Sequence, residues 1–484
     1  MIPLSLADVA SAVDGRLVDA DPGAAVTGSV EFDSRQVTPG GLFVALPGEK
    51  VDGHDFAAAA VAAGAAAVLG SRATGAPTVL VADPLRALGR LARAVLARLP
   101  QLTVVGLTGS SGKTTTKDLL AQLLGELGPT VAPAGSFNNE LGLPYTALRA
   151  DPQTRFLVLE LGARGLGHLR YLCEVAPPHL GVVLNVGVSH IGEFGSVANI
   201  AAAKGELVEA LPPDGVAVLN ADDPAVRAMA ARTRARVVLV GEAPDAAVRA
   251  VDVSLDARGR AAYTLVSGAG RAPVRLAVPG AHQVGNSLAA AAVALELGAT
   301  PEAVAAGLGR ARLVSQRRMD VYDRADGVTV IDDSYNANPA SVAAALRALA
   351  ALGAGRRTVA VLGYLAELGD YERSGHEQVG RLAAELGVDR LVVVGAAAAP
   401  IHDGAVGVGA WEGESVPVTD QAAAIAWLAD ELRAGDVVLV KGSRYRTWDV
   451  ADYLRAGPGP AAGGPEGTGG PEGAAPGADT GGAR

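Results

Sequence analysis

The chain has 484 residues, 49% of them hydrophobic but only 4% aromatic, with a formal net charge of −10. The length predicts roughly three domains, and the acidic balance with no basic, aromatic-interleaved patch excludes a nucleic-acid-binding surface. A lone cysteine, Cys173, excludes an intramolecular disulfide; with no basic leader at the N-terminus and no apolar run long enough to span a bilayer, the expectation is a cytoplasmic protein.

Only five of the 41 Lys+Arg residues are lysines, at 50, 113, 117, 204 and 441, and asparagines number eight. Where either cation serves, this chain uses arginine. The surviving lysines are therefore enriched for places that need an ammonium rather than a guanidinium. Lys113, Lys204 and Lys441 stand out on this ground before any motif is considered.

Taken in order, residues 1–100 read as a small α/β domain. A short helix is expected over 4–13 with Ser5 as a possible cap, a helix over 55–63 and a strand over 66–69. Between them, Asp33-Ser34-Arg35 is a polar turn that could serve a sugar nucleotide, Arg35 facing a phosphate.

Residues 102–107 form a short apolar run, β-branched in its middle, that reads as a buried strand, and 118–127 carry a leucine stripe of helical period. Between them stand Gly109, Gly112, Lys113 and Thr114. A glycine loop that opens a helix lets backbone N–H groups converge on phosphate oxygens. Lys113 adds charge at the β- and γ-phosphates and the Thr114 hydroxyl suits Mg²⁺. The match to the common phosphate-loop pattern is imperfect, since Leu107 occupies its first glycine position.

Further buried strands are expected over 156–161, ending in Glu160, over 181–186, leading to Ser189-His190, and over 216–219, with a helix over 198–210 that contains Lys204. A carboxylate at the carboxyl end of such a strand sits where open α/β sheets bind ligands. Residues 236–278 read as strand-rich, and 280–286 open an Ala-rich helix. From 313 a third unit alternates strands at 328–331, 358–362, 391–394 and 437–440 with helices, a Rossmann-like pattern. Residues 457–484 are Gly, Pro, Ala, Glu and Thr without apolar periodicity, and are expected to be disordered.

Gly-Leu-Thr-Gly-Ser-Ser-Gly-Lys-Thr at 106–114, Glu160, His190, Lys204-Gly-Glu, His282 with Asn286, and Asp-Ser-Tyr-Asn-Ala-Asn-Pro at 333–339, in this order, resemble the Mur ligases over residues 25–455. Within that family, Asn138 to Pro144, Asp333 to Pro339 and Lys441-Gly-Ser-Arg444 look like the branch that adds D-alanyl-D-alanine; the Asp-Asn-Pro-Arg motif of diamino-acid-adding relatives is missing.

The resemblance implies three α/β domains: a small substrate domain (1–100), a central P-loop-type ATPase domain with a mostly parallel sheet (101–312) and a C-terminal Rossmann-like ligase domain (313–456). It implies a monomeric enzyme that uses ATP, two Mg²⁺ ions, a UDP-N-acetylmuramoyl-tripeptide and D-alanyl-D-alanine. The tripeptide carboxylate becomes an acyl phosphate, which the dipeptide amine attacks. On this reading Thr108, Gly109, Ser110, Ser111, Gly112, Lys113, Thr114 and Thr115 hold the phosphates. Thr114, Glu160, His190 and Lys204, the last as a CO₂-derived carbamate, hold the metals. His282, Asn286, Arg318, Asn336 and Asn338 contact the nucleotide; Ser34, Arg35, Asn138 and Asn139 contact the muramoyl substrate; and Lys441 and Arg444 meet the dipeptide. A sibling amide ligase and a catalytically silent nucleotide-binding scaffold are the alternatives. Where many relatives carry Asp, this chain has Tyr364, and Tyr445 to Trp448 replace smaller residues.

Overall fold

The computed structural model describes residues 1–48 and 51–457, so the tail reading for 457–484 lies, beyond Gly457, outside the described residues. Contacts divide the chain into two compact units, residues 1–100 with 147–152, and residues 101–146 with 153–457. Among the described residues, three large sheets, mostly parallel and packed with helices, and one short antiparallel pair, Leu4–Ser5 with Ala25–Val26, realise the expected α/β class.

In the first unit, Arg16–Val18, Thr78–Leu80, Ala67–Gly70, Leu42–Val44 and Val30–Glu31 lie side by side in that order, parallel except for the first pair. The helix Leu6–Val13 starts where the Ser5 hydroxyl accepts the Asp8 N–H, so Ser5 is the cap. The helix expected over 55–63 is a 3₁₀ turn, Gly53–Phe56, continued by the α-helix Ala57–Ala62. Asp52 accepts the His54 N–H and tightens that first turn.

In the second unit, the central sheet has nine strands, with Thr103–Thr108 lying between Phe156–Glu160 and Leu180–Val183, all parallel. Its interior strands read as unbroken apolar runs because both faces are covered. The helices Lys113–Gly125 and Gln283–Glu296 bury Leu119, Leu120, Leu123, Leu288 and Val293 in one continuous core with that sheet. Gly106 and Gly181 are register partners, and a Cβ on either would come within 3.2 to 3.3 Å of the Leu207 side chain. Two bare positions thus seat the helix Val197–Glu209, and with it Lys204, close against the strand that feeds the glycine loop.

The third sheet runs Asp320–Asp323, Thr329–Asp332, Val437–Lys441, Thr358–Gly363, Arg390–Val394, Glu414–Val418, parallel after its first, antiparallel pair. Alternate residues serve opposite faces: Ile331, Leu362 and Leu439 pack against Pro339–Leu352 and Glu372–Glu385, while Val330, Val361 and Val440 pack against Gln421–Glu431 and Trp448–Ala456. Because Thr329–Asp332 neighbours Val437–Lys441, their carboxyl ends bring 333–339 and 442–444 to one edge. Among the described residues no helix is long and apolar enough to cross a membrane.

Candidate functional site

Thr103–Thr108 delivers its chain at the carboxyl edge of the central sheet, and Gly112, with φ +80°, turns it into the helix that begins at Lys113. The first-turn N–H groups of that helix have no intrahelical acceptor and face outward from the sheet edge. A neighbouring loop holds the glycine loop open: Ser111 N–H donates to Asn185 Oδ1 at 2.9 Å, Ser110 N–H to the Asn185 carbonyl at 3.1 Å, and Gly187 N–H to Ser110 Oγ at 2.8 Å. The strand expected to reach 186 stops at Val183 because this loop leaves the sheet to make those bonds. Asp223, which caps the next helix, accepts the Val186 N–H at 2.8 Å and fixes the same loop from below.

Gly112 cannot carry a side chain here. Its φ is left-handed, and a Cβ would collide with Asn286 Oδ1. Gly112→Ala is expected to weaken ADP binding about tenfold or more, the cost of backbone strain displacing the loop; calorimetric titration with ADP measures it.

The Lys113 ammonium donates to the Gly109 carbonyl at 2.7 Å and lies folded into the loop. Burial lowers its pKa; Glu160 opposes that fall and Arg318 adds to it. Thr114 Oγ1 donates to Glu160 Oε2 at 2.9 Å, and the Arg318 guanidinium reaches the same hydroxyl at 3.4 Å. Glu160, 1% exposed, accepts on its other oxygen from Ser136 Oγ at 3.0 Å and Asn138 Nδ2 at 2.8 Å. Asn138 therefore supports the carboxylate, and Asn139 caps the following helix by accepting the Gly142 N–H at 2.9 Å. Thr108 Oγ1 closes the strand end on the Leu161 carbonyl, and Thr115 stands in the first turn of the helix.

Lys204 is buried at 5% exposure, and among the described residues its amine has no hydrogen-bond or ion-pair partner. Both nearby carboxylates are engaged elsewhere. Glu206 accepts the Gly167 and Arg170 N–H groups at 2.6 and 3.1 Å, and Glu209 pairs with Arg232 at 2.8 Å. Burial pushes the Lys204 pKa well below the ordinary lysine range, and the charge on Lys113 pushes it further. Such an amine is readily deprotonated and nucleophilic.

His190 sits at φ +60° on the loop after Leu180–Val183, its Nδ1 2.6 Å from Glu367 Oε2 of the third sheet's edge. Glu193 is 4.0 Å from the same nitrogen, and the ligand atoms of His190, Glu193 and Glu367 all lie within 4.8 Å of one another. The close His190 imidazole lowers the Glu367 pKa, against a burial that raises it. Sequence reasoning found neither acid: Glu193 is three residues from His190 but carries no motif signal, and Glu367 lies far along the chain and is brought to His190 by the meeting of two loops.

A cavity of about 100 Å³ opens between the central strands and the helix Gln283–Glu296, lined by Asn185, Asn220, His282, Gly285 and Asn286 among others. Burial holds the His282 imidazole below its usual pKa. Asn286 donates to Gln283 Oε1 at 2.8 Å. The cavity size and its amide lining suit part of a nucleoside. Asn185 and Asn220 are additions that the motif reading did not supply, although their rarity in this chain was the available signal.

Asn338 caps Pro339–Leu352 through Ser341 and donates to Ser189 Oγ at 2.6 Å; Ser189 in turn donates to the Ser110 carbonyl at 3.2 Å. The loop after Thr329–Asp332 thereby reaches the glycine loop through one bridging hydroxyl. The Asn336 carbonyl accepts from the Lys441 ammonium at 3.0 Å; Lys441 also pairs with the Asp333 carboxylate and is buried at 2% exposure. Lys441 thus ties the 333–336 loop to its strand. The Arg444 guanidinium, half-buried, lies 5.3 Å from the Tyr335 ring centre, and that of Arg318 lies 4.1 Å from it. Ser34 and Arg35 belong to the other compact unit, where Arg35 pairs with Asp33 at 2.7 Å.

Family models match in three consecutive pieces: the Mur ligase family catalytic domain over residues 19–95, the Mur ligase middle domain over 107–294, and the Mur ligase glutamate ligase domain over 317–444. A UDP-N-acetylmuramoyl-tripeptide–D-alanyl-D-alanine ligase of Mycobacterium tuberculosis is 52% identical, the alignment covering 92% of this chain and 96% of that protein. Among solved structures, MurF from Acinetobacter baumannii aligns with a TM-score of 0.84 and 33% identity over 94% of this chain and 99% of that one. MurF ligase from Thermotoga maritima in complex with ADP aligns with a TM-score of 0.75 and 29% identity, covering 88% and 97%.

Proposed function

The chain belongs to the Mur ligase family, and we propose on that footing that it joins D-alanyl-D-alanine to UDP-N-acetylmuramoyl-tripeptide at the expense of ATP. The observation that carries this reading is the end-to-end likeness to ligases of that name, laid over a sheet edge where Lys113, Thr114, Glu160 and Arg318 converge. ATP use follows from the family and sits well with the ADP complex of a neighbour.

A carboxylate is a poor electrophile, and phosphorylation turns one of its oxygens into a leaving group. Lys113 and Arg318 are positioned to offset charge as the γ-phosphoryl group passes to the tripeptide carboxylate, an electrostatic and positioning task. The first-turn N–H groups of Lys113–Gly125 orient the phosphates. The dipeptide amine then attacks the acyl phosphate, and the tetrahedral adduct collapses to amide and phosphate. The 333–339 loop, joined to the glycine loop through the Ser189 hydroxyl, stands where it could shield the acyl phosphate from hydrolysis.

Mg²⁺ bound here would supply further positive charge at the phosphates. The hydroxyl of Thr114, the carboxylate of Glu160 and the imidazole of His190 are donors that could hold it. Lys204 fits the scheme as a carbamate: its buried amine has no partner, and CO₂ would convert it into two anionic oxygens, which an ammonium cannot offer a cation. We assign residues 1–100, with Ser34 and Arg35, to the muramoyl substrate, 101–312 to ATP and 313–456 to the dipeptide, in a monomeric cytoplasmic enzyme.

The test is to mix the protein with ATP, Mg²⁺, D-alanyl-D-alanine and muramoyl tripeptides carrying either diaminopimelate or lysine, then weigh the product. A pentapeptide with matching ADP and phosphate is expected. ATP turnover that yields no product of that mass would overturn the substrate assignment, and absence of substrate-dependent turnover would overturn the activity.

A further inference from the structure

Lys117 is the one described lysine that the ligase reading does not use, and it is almost wholly buried, 1% exposed. Its ammonium pairs with Asp118, also 1% exposed, and donates to Ser315 Oγ at 3.0 Å and to the Pro133 carbonyl at 2.9 Å. Asp118 in turn accepts the N–H groups of Val314 and Ser315 at 3.1 and 2.9 Å and the Ser315 hydroxyl at 3.0 Å. Burying an ion pair is costly unless its remaining lone pairs and protons are satisfied, and here every contact satisfies one.

The pair is the first rung of a series. Residues four apart on a helix share a face, and on Lys113–Gly125 and its C-cap those are Asp118, Gln122 and Glu126. The Gln122 side-chain amide imitates a backbone partner, accepting the Arg312 N–H at 3.1 Å and donating to the Arg312 carbonyl at 2.8 Å. Glu126 pairs with Arg310 at 2.7 Å. The segment 310–315, which carries the chain from the central sheet to the third, is splinted along the helix whose first turn is Lys113 and Thr114.

Three residues past Ser315, the partner of the first rung, stands Arg318, with its guanidinium at Thr114 Oγ1 and over the Tyr335 ring. On either side of Arg318 the backbone turns sharply: Arg317 and Met319 have φ of +57° and +48°, conformations that side-chain-bearing residues rarely adopt. A free linker would let Arg318 wander; the splint leaves it almost no slack.

We propose that Lys117, Asp118 and Ser315, extended by Gln122, are positioning residues that set Arg318 against the terminal phosphate of the bound nucleotide. The proposal rests on the ATP site described above but not on the identity of the amine or acid that is joined. It also places the bend between the central and third domains at 316–319 and not in the preceding segment.

The test is a double-mutant cycle on affinity for a non-hydrolysable ATP analogue, read by calorimetry on the full chain, with melting curves to verify folding. Ser315→Ala and Gln122→Ala, which remove no charge, are each made alone and in an Arg318→Ala background; Ser315→Thr serves as the rescue. Each single change is expected to weaken binding about tenfold, with almost no further loss once Arg318 is gone, and Ser315→Thr to restore it. Full, independent losses in the Arg318→Ala background, or unchanged affinity in folded single variants, would overturn the proposal. The product-mass assay on the unmodified protein judges the ligase reading separately, so either can fail alone.

Discussion

Lys204→Met is expected to abolish ligation and leave the protein at least as stable as before. The amine is buried and unpartnered, so its charged form costs free energy in the folded state and its pKa falls well below the ordinary lysine range. Between the lowered folded value and the unfolded one, the unfolded chain binds more protons. Stability supplied against this group therefore rises with pH across that window, and methionine, apolar and of similar length, removes the dependence. Activity should fall by about 10²–10³ or more, the scale of losing a group that stabilises charge in the transition state. Arginine should fail equally, since a guanidinium forms no carbamate. Depleting CO₂ should reversibly reduce the rate of the unmodified enzyme, with bicarbonate restoring it. Measurements of ADP release and melting temperature suffice. A liganded crystal that shows a bare Lys204 amine turned away from the metals would remove the carbamate.

Glu160→Gln is the second large effect. The wild-type carboxylate accepts from Thr114 Oγ1, Ser136 Oγ and Asn138 Nδ2, three donors and no competing donor of its own. Glutamine has one accepting oxygen, so its NH₂ must face at least one donor in a site that is nearly dry. Each unsatisfied buried group costs about 1–3 kcal/mol, and the anionic charge offered to a cation is lost as well. A fall in kcat of about 10²–10³ is expected, together with a lower melting temperature and a raised Mg²⁺ requirement. A kcat within a factor of about two of the wild type would show that Glu160 only braces the loop.

Much of this was readable in the sequence because the signals were local. An apolar run, three glycines and a lysine at a strand-to-helix boundary are contiguous, and their structure is set within a dozen residues. The stripe at 118–127 predicted the helix, which starts earlier, at Lys113, because the glycine loop supplies its N-terminus. Less legible were partnerships across the chain. The sequence reading sends Asn138 to the muramoyl substrate, while in the structure its amide is on Glu160; no spacing rule couples those two positions. Glu367 meets His190 only because the loops that follow Leu180–Val183 and Thr358–Gly363 come together. The edge strand Glu414–Val418 contains Pro417 and is half-polar, so it lacked the apolar run that revealed its neighbours. Lysine scarcity reached furthest, since it needed no motif: it singled out Lys204 before any resemblance did, and it applies equally to Lys117.

That scarcity has a chemical corollary. Among the described residues no lysine is exposed; Lys113 is folded inward and Lys117, Lys204 and Lys441 are buried. An activated acyl donor reacts with free primary amines and hardly at all with guanidinium groups. Around the described residues, a mixed anhydride that escaped the site would therefore meet guanidinium groups and few lysine amines.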